Sequence, residues 1–338
     1  MGSKRKILMI SHHYYPHVGG VEKHLYFLTK HLKDKGYQVK ILTSNSGDKS
    51  EKDIVEVIRL KLLKIRYFGL LWIWFLMMIN LKKILWADVI HCHDVFIWYL
   101  PFRFIFFWKP VYITFHGYEN HPLQKKHILI RRLSEFLSNG SIIVGDFINK
   151  WYGIRSKYVI YGASELKMSD NKTLEKPYDM VFVGRLDTQT DVQIYLKALK
   201  LCKKIRDLKV VFVGDGNLRK IVEESGYKVT GFVNDVDYYY RNTKIALVSR
   251  YLSIIEALSH RLPIISAYSN PIKKDYLLMS PFKDFVFVSD NSEKISKHIL
   301  SLLKTENTVN ERGYSWAKTQ TWGRVINIYE KLWGMNKL

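Results

Sequence analysis

Three groups of residues in this 338-residue chain have types and spacings that could do chemistry. The first lies in residues 244–267, KIALVSRYLSIIEALSHRLPIISA. An apolar run at 245–248 is followed by the loop Ser249–Arg250–Tyr251–Leu252, and Glu256 is the first carboxylate beyond it. Ligands of parallel sheets bind past the carboxyl ends of the strands, which suits Glu256 to a ligand role. Equally, Ser253-Ile254-Ile255-Glu256 fits the S-x-x-E capping box, with Glu256 reaching back to the Ser253 backbone. Pattern alone leaves both readings open. The second group is Gly19-Gly20 at a helix start. Glycines there expose backbone N–H groups of partial positive charge to an anion, although a plain tight turn accounts for them as well. The third is His91-x-His93 with His116. Alternation on a strand puts His91 and His93 on one face, which invites a metal, but no further ligand stands at a usual spacing. A polar site at strand ends explains the same residues.

Such residues need alternating strands and helices to place them. Residues 6–11 read as a buried strand. Apolar positions 21, 25, 28 and 32 then follow helical spacing, and Gly36 suits the residue after the helix. Strand-like runs recur at 39–43, 55–60, 88–94, 111–115, 141–144 and 158–161. The polar stretch 166–178 reads as a linker. Alternation restarts with a strand at 180–183, a helix at 192–204, strands at 210–213 and 228–233, and the strand, helix and strand of 244–267. These runs predict two successive α/β domains, the natural division for a chain of this length.

The chain is 47% hydrophobic and 14% aromatic, which argues against disorder. Its formal charge is +22, with 25 Lys and Arg against 12 Asp and Glu in residues 1–165, and 28 against 19 in the remainder. Such a surplus suits nucleic acid, anionic lipid or phosphate-bearing substrates. Cys92 and Cys202 make no disulfide or zinc pattern, and the plain reading is a reducing, cytoplasmic location. The longest apolar run, 67–79 (YFGLLWIWFLMMI), is too short to span a bilayer. It reads either as a buried helix or as an interfacial helix on an anionic membrane. Trp72, Trp74 and the basic residues Arg59, Lys61, Lys64, Arg66, Lys82 and Lys83 favour the second. Basic residues also accompany 102–108 and include Lys125, Lys126, Arg131 and Arg132.

Six short motifs in order along nearly the whole chain resemble the retaining glycosyltransferases of the GT4 family. They are Tyr15-Pro16-His17-Val18-Gly19-Gly20-Val21-Glu22, Phe115-His116-Gly117, Phe182-Val183-Gly184-Arg185-Leu186, Val213-Gly214-Asp215-Gly216, Gly231-Phe232-Val233 and Ile255-Glu256-Ala257-Leu258. The resemblance implies the GT-B fold, α/β, with two Rossmann-like domains whose parallel sheets face a central cleft. It implies an acceptor-side domain at 1–165, a donor-nucleotide domain at 177–313, and a last helix at 314–334 crossing back to the first domain. It carries roles onto matching positions. Gly19 and Gly20 would meet the diphosphate and sugar, Arg185 beside Gly184 would pair with the diphosphate, and the Val233 backbone would meet the base. Glu256 would hold the ribose hydroxyls, and His116 would stand near the reacting sugar. Thr190, Gly214, Tyr251, Leu252 and Ser253 complete the expected donor site, with His116 and Gly20 as its catalytic members. In that light Glu256 tilts towards the ribose.

The expected activity is metal-independent transfer, with retention, from a UDP- or GDP-linked sugar to a membrane-bound, lipid-linked acceptor. The enzyme would sit on the inner face of the cell membrane, touching it through 59–83 and the basic patches, as a monomer or weak dimer that binds no nucleic acid. No cofactor is expected, and Asp235-x-Asp237 reads as solvated surface. The chain also departs from the family pattern. Thr190 stands where a lysine is usual, Asp191 and Arg261 where glycines are usual, and Val248 where a first glutamate is usual, in a shortened loop. Two other readings follow from these features. One is a degenerate member that binds nucleotide sugar without transfer. The other, from charge and aromatics, is a basic nucleic-acid-binding protein.

Overall fold

The computed structural model describes residues 5–44, 53–63, 68–119, 121–165, 176–305 and 308–335. Two compact units emerge: Met1–Ile160 with Trp322–Leu338 (unit 1), and Tyr161–Thr321 (unit 2). Lys64, Arg66, Tyr67 and residues 166–175 of the expected linker lie outside the described residues.

Unit 1 holds the strands β1 (Lys6–Ser11), β2 (Gln38–Ser44), β3 (Glu56–Leu60), β4 (Val89–His93), β5 (Val111–Phe115), β6 (Ser141–Val144) and β7 (Tyr158–Ile160). Its helices are α1 (Gly20–Asp34), α2 (Gly69–Ile79), α3 (Leu81–Trp86), α4 (Phe96–Ile105), α5 (Lys125–Leu137) and α6 (Phe147–Tyr152). The strands pair in parallel in the order β3-β2-β1-β4-β5-β6-β7. Strands covered on both faces must be apolar throughout, and β1, β4 and β5 are buried almost end to end. Helix α1 buries Leu25, Leu28 and Leu32 and stops at Gly36, whose φ of 84° is left-handed backbone that glycine adopts freely. In α2 only Met77 is buried, so the buried-helix reading of 67–79 fails. This helix is apolar all round, and it exposes Leu71, Phe75, Met78 and Ile79 while most of its other residues are half-buried.

Unit 2 holds β8 (Tyr178–Val183), β9 (Val210–Val213), β10 (Lys228–Val229), β11 (Thr243–Leu247), β12 (Ile264–Ala267) and β13 (Phe287–Ser289). Its helices are α7 (Val192–Lys203), α8 (Arg219–Glu224), α9 (Asp237–Arg241), α10 (Tyr251–Ser259), α11 (Pro271–Leu278), α12 (Ser292–Lys304) and α13 (Glu311–Ala317). The parallel order is β10-β9-β8-β11-β12-β13. Met180, Phe182, Phe212 and Leu247 from the strands pack with Tyr195 and Leu199 of α7 in the core. The expected strand at 228–233 shrinks to two residues, because Gly231 at φ 74° turns the chain and its carbonyl accepts the Gly214 N–H.

The expected closing helix at 314–334 is two helices. α13 packs on α10 in unit 2, whereas α14 (Trp322–Leu332) packs on α1 in unit 1. Residues 318–321 break the helix, and in α14 the buried Trp322, Val325, Ile326 and Tyr329 form one helical stripe. The last segment of the chain thus completes the core of the first unit.

Candidate active site

Each sheet reverses its strand order once, and ligands of open parallel sheets bind beyond the strand ends at that point. In unit 1 the reversal lies between β1 and β4, and in unit 2 between β8 and β11. Of the residues singled out from the sequence, Gly19, His116, Gly184, Arg185, Gly214 and Val233 lie on loops after strands, and Gly20, Tyr251, Leu252, Ser253 and Glu256 lie in helices that follow strands.

In unit 1, Gly19 precedes α1 in extended backbone and Gly20 opens the helix. The Glu22 carboxylate of the first helical turn occupies the space a Gly19 Cβ would need, and its Oε1 lies 2.6 Å from His17 Nδ1. A side chain at position 19 would therefore have to displace the Glu22 carboxylate. A Cβ at Gly20 would meet nothing within 4 Å, so packing within the unit does not require that glycine.

His116 follows β5. Its backbone N–H donates to Asp94 Oδ1 at 3.0 Å, and its Nε2 lies 2.8 Å from His93 Nδ1. Asp94 has left-handed backbone at φ 62° and lies 3.6 Å from Arg131 Nη2. Burial, helped by the Arg131 charge, pushes His116 down to about 3. At neutral pH its imidazole is therefore uncharged, and it acts as a hydrogen-bonding group. His91 is fixed in one tautomer: the Trp333 indole, which only donates, gives its hydrogen to His91 Nδ1 at 3.0 Å. His91 Nε2–H then donates to Thr114 Oγ1 at 2.8 Å. Thr114 continues to the Tyr329 hydroxyl at 3.0 Å, and Tyr329 to His24 Nε2 at 3.0 Å. Both His91 nitrogens are thus engaged by protein groups. Among the described residues no group of three or more His, Cys, Asp or Glu is arranged to hold a metal ion. His24 and Tyr329 belong to this cluster but gave no signal in sequence, since one lies in an ordinary helix and the other on the last one.

In unit 2, the turn after β8 carries Gly184 and Arg185. The Arg185 side chain is 44% exposed, and its Nη2 reaches Asp187 Oδ2 at 3.2 Å and Gln189 Oε1 at 3.1 Å. Thr190 is buried within a one-turn helix, Thr188–Thr190, and its hydroxyl donates to the Arg185 carbonyl at 2.6 Å. It braces the Arg185 turn from inside. Asp191 follows at φ 60°, a left-handed conformation that Asp tolerates better than most residues. Arg261 is also left-handed, at φ 57°. It lies 3.0 Å from Glu311 and over the Tyr314 ring at 3.7 Å, contacts that help hold the conformation. Both positions where glycine is usual therefore keep the backbone that glycine favours.

Gly214, after β9, has φ 144°, and an added Cβ would overlap the Gly184 carbonyl oxygen. A Gly214→Ala substitution is expected to destabilise the protein by about 1–3 kcal/mol, since backbone must shift. A urea midpoint within error of wild type would show that these loops part without cost. Gly231 bonds Gly214 through its carbonyl, which brings the half-buried Val233 after it.

Helix α10 starts at Tyr251, so Ser253 is its third residue and no side chain caps its N-terminus. The capping-box reading of Ser253 and Glu256 is thereby overturned. Glu256 is 4% exposed beside the Tyr240 hydroxyl, which burial and then the Glu256 charge push well above its ordinary range. Tyr251 stacks on Tyr276 at 3.9 Å; its N–H donates to the Tyr276 hydroxyl and its own hydroxyl to the Tyr276 carbonyl. Leu252 stands against Gly162, and the Ser253 carbonyl accepts from Tyr240. Asp237 is not solvated surface as expected: its side chain, 14% exposed, pairs with Arg241 and lies 2.9 Å from His260.

Three neighbours of this site escaped sequence reasoning. Arg250 Nη2 donates to Gln189 Oε1 at 3.0 Å, the oxygen that also accepts from Arg185. Lys273 of α11 is fully buried, and its Nζ donates to the Ser249 carbonyl at 2.6 Å. Burial holds Lys273 well below its usual range and Asp191 above its own. Arg250 lay within the loop already marked, whereas Lys273 and Gln189 carry no pattern of their own.

Two family models match the chain: Glycosyltransferase Family 4 over residues 18–144, and Glycosyl transferases group 1 over residues 164–318. No curated protein sequence compared with it matches. Among solved structures it is similar to HepE of Anabaena in complex with UDP and glucose, at 16% identity and a TM-score of 0.76, covering 98% of this chain and 100% of that one. It is similar to a glycosyltransferase from Rickettsia africae ESF-5 at 15% identity and a TM-score of 0.71, covering 98% and 99%. It is also similar to the lipopolysaccharide outer core galactosyltransferase WaaB, at 14% identity and a TM-score of 0.69, covering 97% and 98%. The two family matches leave out only residues 1–17, 145–163 and 319–338, and with the two parallel-sheet units they place the chain among the GT4-like glycosyltransferases of the GT-B fold.

Proposed function

We propose that the protein transfers a sugar, with retention of configuration and without a metal ion, from a UDP- or GDP-linked donor to a membrane-associated, lipid-linked acceptor. The observation that carries this reading is the set of groups at the strand reversal of unit 2. Arg185 stands there with an exposed guanidinium, next to the glycine turns at Gly184 and Gly214 that keep backbone close. A planar, permanently charged fork suits a diphosphate, and charge grows on that diphosphate as it leaves. The Val233 backbone would meet the base. Glu256, on the second turn of α10, would accept from the ribose hydroxyls, with Tyr251, Leu252 and Ser253 setting the start of its helix. Thr190 shapes the turn from which Arg185 extends. On unit 1, Gly19, Gly20 and the neutral His116 are the groups that the family resemblance assigns to the reacting sugar. Structures similar to this chain were solved with UDP, with UDP-glucose and with UDP and glucose, and one is a lipopolysaccharide galactosyltransferase.

A membrane-bound acceptor is supported by the surface of unit 1. α2 packs on α4, and α4 on α5. This group exposes Leu71, Phe75 and Met78, then Phe107 at 72% and Trp108, then Phe136 at 83%. Lys82 stands on α3, which follows α2 after one residue, and Lys125 and Lys126 open α5. Apolar side chains rimmed by basic ones suit an interface with anionic lipid. No described helix is long and apolar enough to cross a membrane. Each large apolar side chain contributes about 2 kcal/mol when fully buried. Exchanging Phe107, Trp108 and Phe136 together for Ser should therefore lower affinity for anionic vesicles at least tenfold, read by co-flotation. Unchanged flotation would count against a membrane-facing role for these helices.

The transfer itself is tested by incubating the protein with labelled nucleotide sugars and membrane extract, then fixing the anomeric configuration of the product by NMR. The expected product is lipid-extractable and keeps the donor's configuration. An inverted product would contradict retention, and a product confined to the aqueous phase would contradict the lipid-linked acceptor.

A further inference from the structure

We propose that Arg250 is a second diphosphate-binding guanidinium, set beside Arg185 by the single amide oxygen of Gln189. The inference rests on the reading that unit 2 holds a nucleotide sugar, and it names a group that the family resemblance does not supply.

Three observations carry it. First, Arg185 and Arg250 follow β8 and β11, the two strands that flank the strand reversal of this sheet, so both loops border the place where a ligand of such a sheet lies. Second, both guanidinium groups donate to Gln189 Oε1, at 3.1 and 3.0 Å. Two like charges brought to one neutral oxygen repel each other, and a bound dianion offsets that repulsion. Third, the loop that carries Arg250 is held from inside. The buried Lys273 takes the carbonyl of Ser249, and the Ser249 hydroxyl donates to the Thr190 carbonyl at 3.2 Å. This bracing ties the loop after β11 to the turn that bears Arg185. Asp187 lies 3.2 Å from Arg185, and Asp191 is electrostatically close to Arg250 and Lys273. Arg185, Arg250 and Lys273 stand against the carboxylates of Asp187 and Asp191, so the group has one more basic than acidic side chain. A lysine is usual at position 190 in the family, where this chain has an inward-turned Thr190. Arg250 restores a cation to the same neighbourhood from a different loop.

The test is calorimetry on the full-length protein with UDP, GDP, uridine and guanosine as probes, each at low and high salt. Wild type is expected to bind one of the two diphosphates. Arg250→Gln should weaken that diphosphate 10- to 100-fold, flatten its salt dependence and leave the matching nucleoside unchanged. Arg250→Lys keeps the charge without the fork and should lose less, about 3- to 10-fold. A diphosphate affinity unchanged in both variants overturns the inference while leaving the nucleotide reading intact. Equal losses for nucleoside and diphosphate also overturn it, since they mark a loop brace and not a phosphate contact. If wild type binds neither diphosphate, the nucleotide reading itself fails and the inference falls with it. Should Arg250→Gln not fold, the same comparison is read from Arg250→Lys and from Gln189→Leu. Loss of the shared acceptor should likewise weaken diphosphate selectively, and an unchanged diphosphate affinity there would overturn the inference.

Discussion

Arg185→Gln is expected to lower kcat/KM by about 10²–10³, most of it in kcat, the scale seen when a preorganised group facing developing charge is removed. The diphosphate gains negative charge as the bond to the sugar breaks, so a cation facing it stabilises the transition state more than the bound donor. Arg185 is well placed for that task. Its guanidinium is half exposed, while Asp187 and Gln189 fix its direction. Its backbone turn is locked by the Thr190 hydroxyl from below. Arg185→Lys should recover only part of the loss, because an ammonium cannot hold Gln189 and a phosphate oxygen with one planar fork. Steady-state kinetics with the identified donor checks this. A kcat within threefold of wild type in Arg185→Gln would remove Arg185 from the chemistry. A rise in KM alone would reduce it to a binding group.

Lowering the pH from 7 to 5 is expected to destabilise unit 1 sharply. His24, His91 and His93 are almost wholly buried, and burial holds each well below the ordinary histidine range. The folded unit keeps them neutral, whereas the unfolded chain protonates them below about pH 6.5. A group depressed in this way contributes stability that is present above its unfolded value and is lost as pH falls below it. Each such histidine removes about 2 kcal/mol between pH 7 and 5, and the three together about 6 kcal/mol as an upper limit. That is a large share of the 5–15 kcal/mol typical of a domain. His116, held down to about 3, acts in the same direction. Asp94, which burial pushes up, acts in the opposite sense but over the carboxylate range. Eight of the nine tryptophans belong to unit 1, so their fluorescence reports its unfolding. Urea titrations at the two pH values should show a much lower midpoint at pH 5. Equal midpoints would mean that the histidines protonate without unfolding the cluster.

Much of the fold was legible because parallel strands covered on both faces need continuous apolar runs, and those runs lie plainly in the sequence. β1, β4, β5, β8, β9, β11 and β12 all fall where such runs stand. Gly184, Gly214 and Gly231 were marked by the family resemblance, and the structure gives the physical reason, since close backbone approach and positive φ select glycine. What sequence could not supply was the third dimension of polar side chains. The S-x-x-E pattern stands at Ser253 and Glu256, but the helix begins three residues earlier than that cap requires, with Arg250 as its cap residue. The single closing helix was expected from the family resemblance; the polar residues 318–321 interrupt it where the chain passes from one unit to the other. Gln189, Arg250 and Lys273 meet through loops whose separation in sequence reaches 84 residues from end to end, and no local periodicity links them. The same holds for His24 and Tyr329, which are joined by a hydrogen bond across 305 positions.

The central claim is that unit 2 holds the nucleotide diphosphate of a sugar donor, and thermal unfolding with a panel of UDP, GDP and ADP compounds tests it most directly. A ligand at 100 times its Kd adds about 2.7 kcal/mol to the state that binds it. One base is expected to raise the melting temperature by several degrees as the diphosphate and as its nucleotide sugar, and the bare nucleoside much less. A melting temperature unmoved by every compound in the panel would contradict the claim.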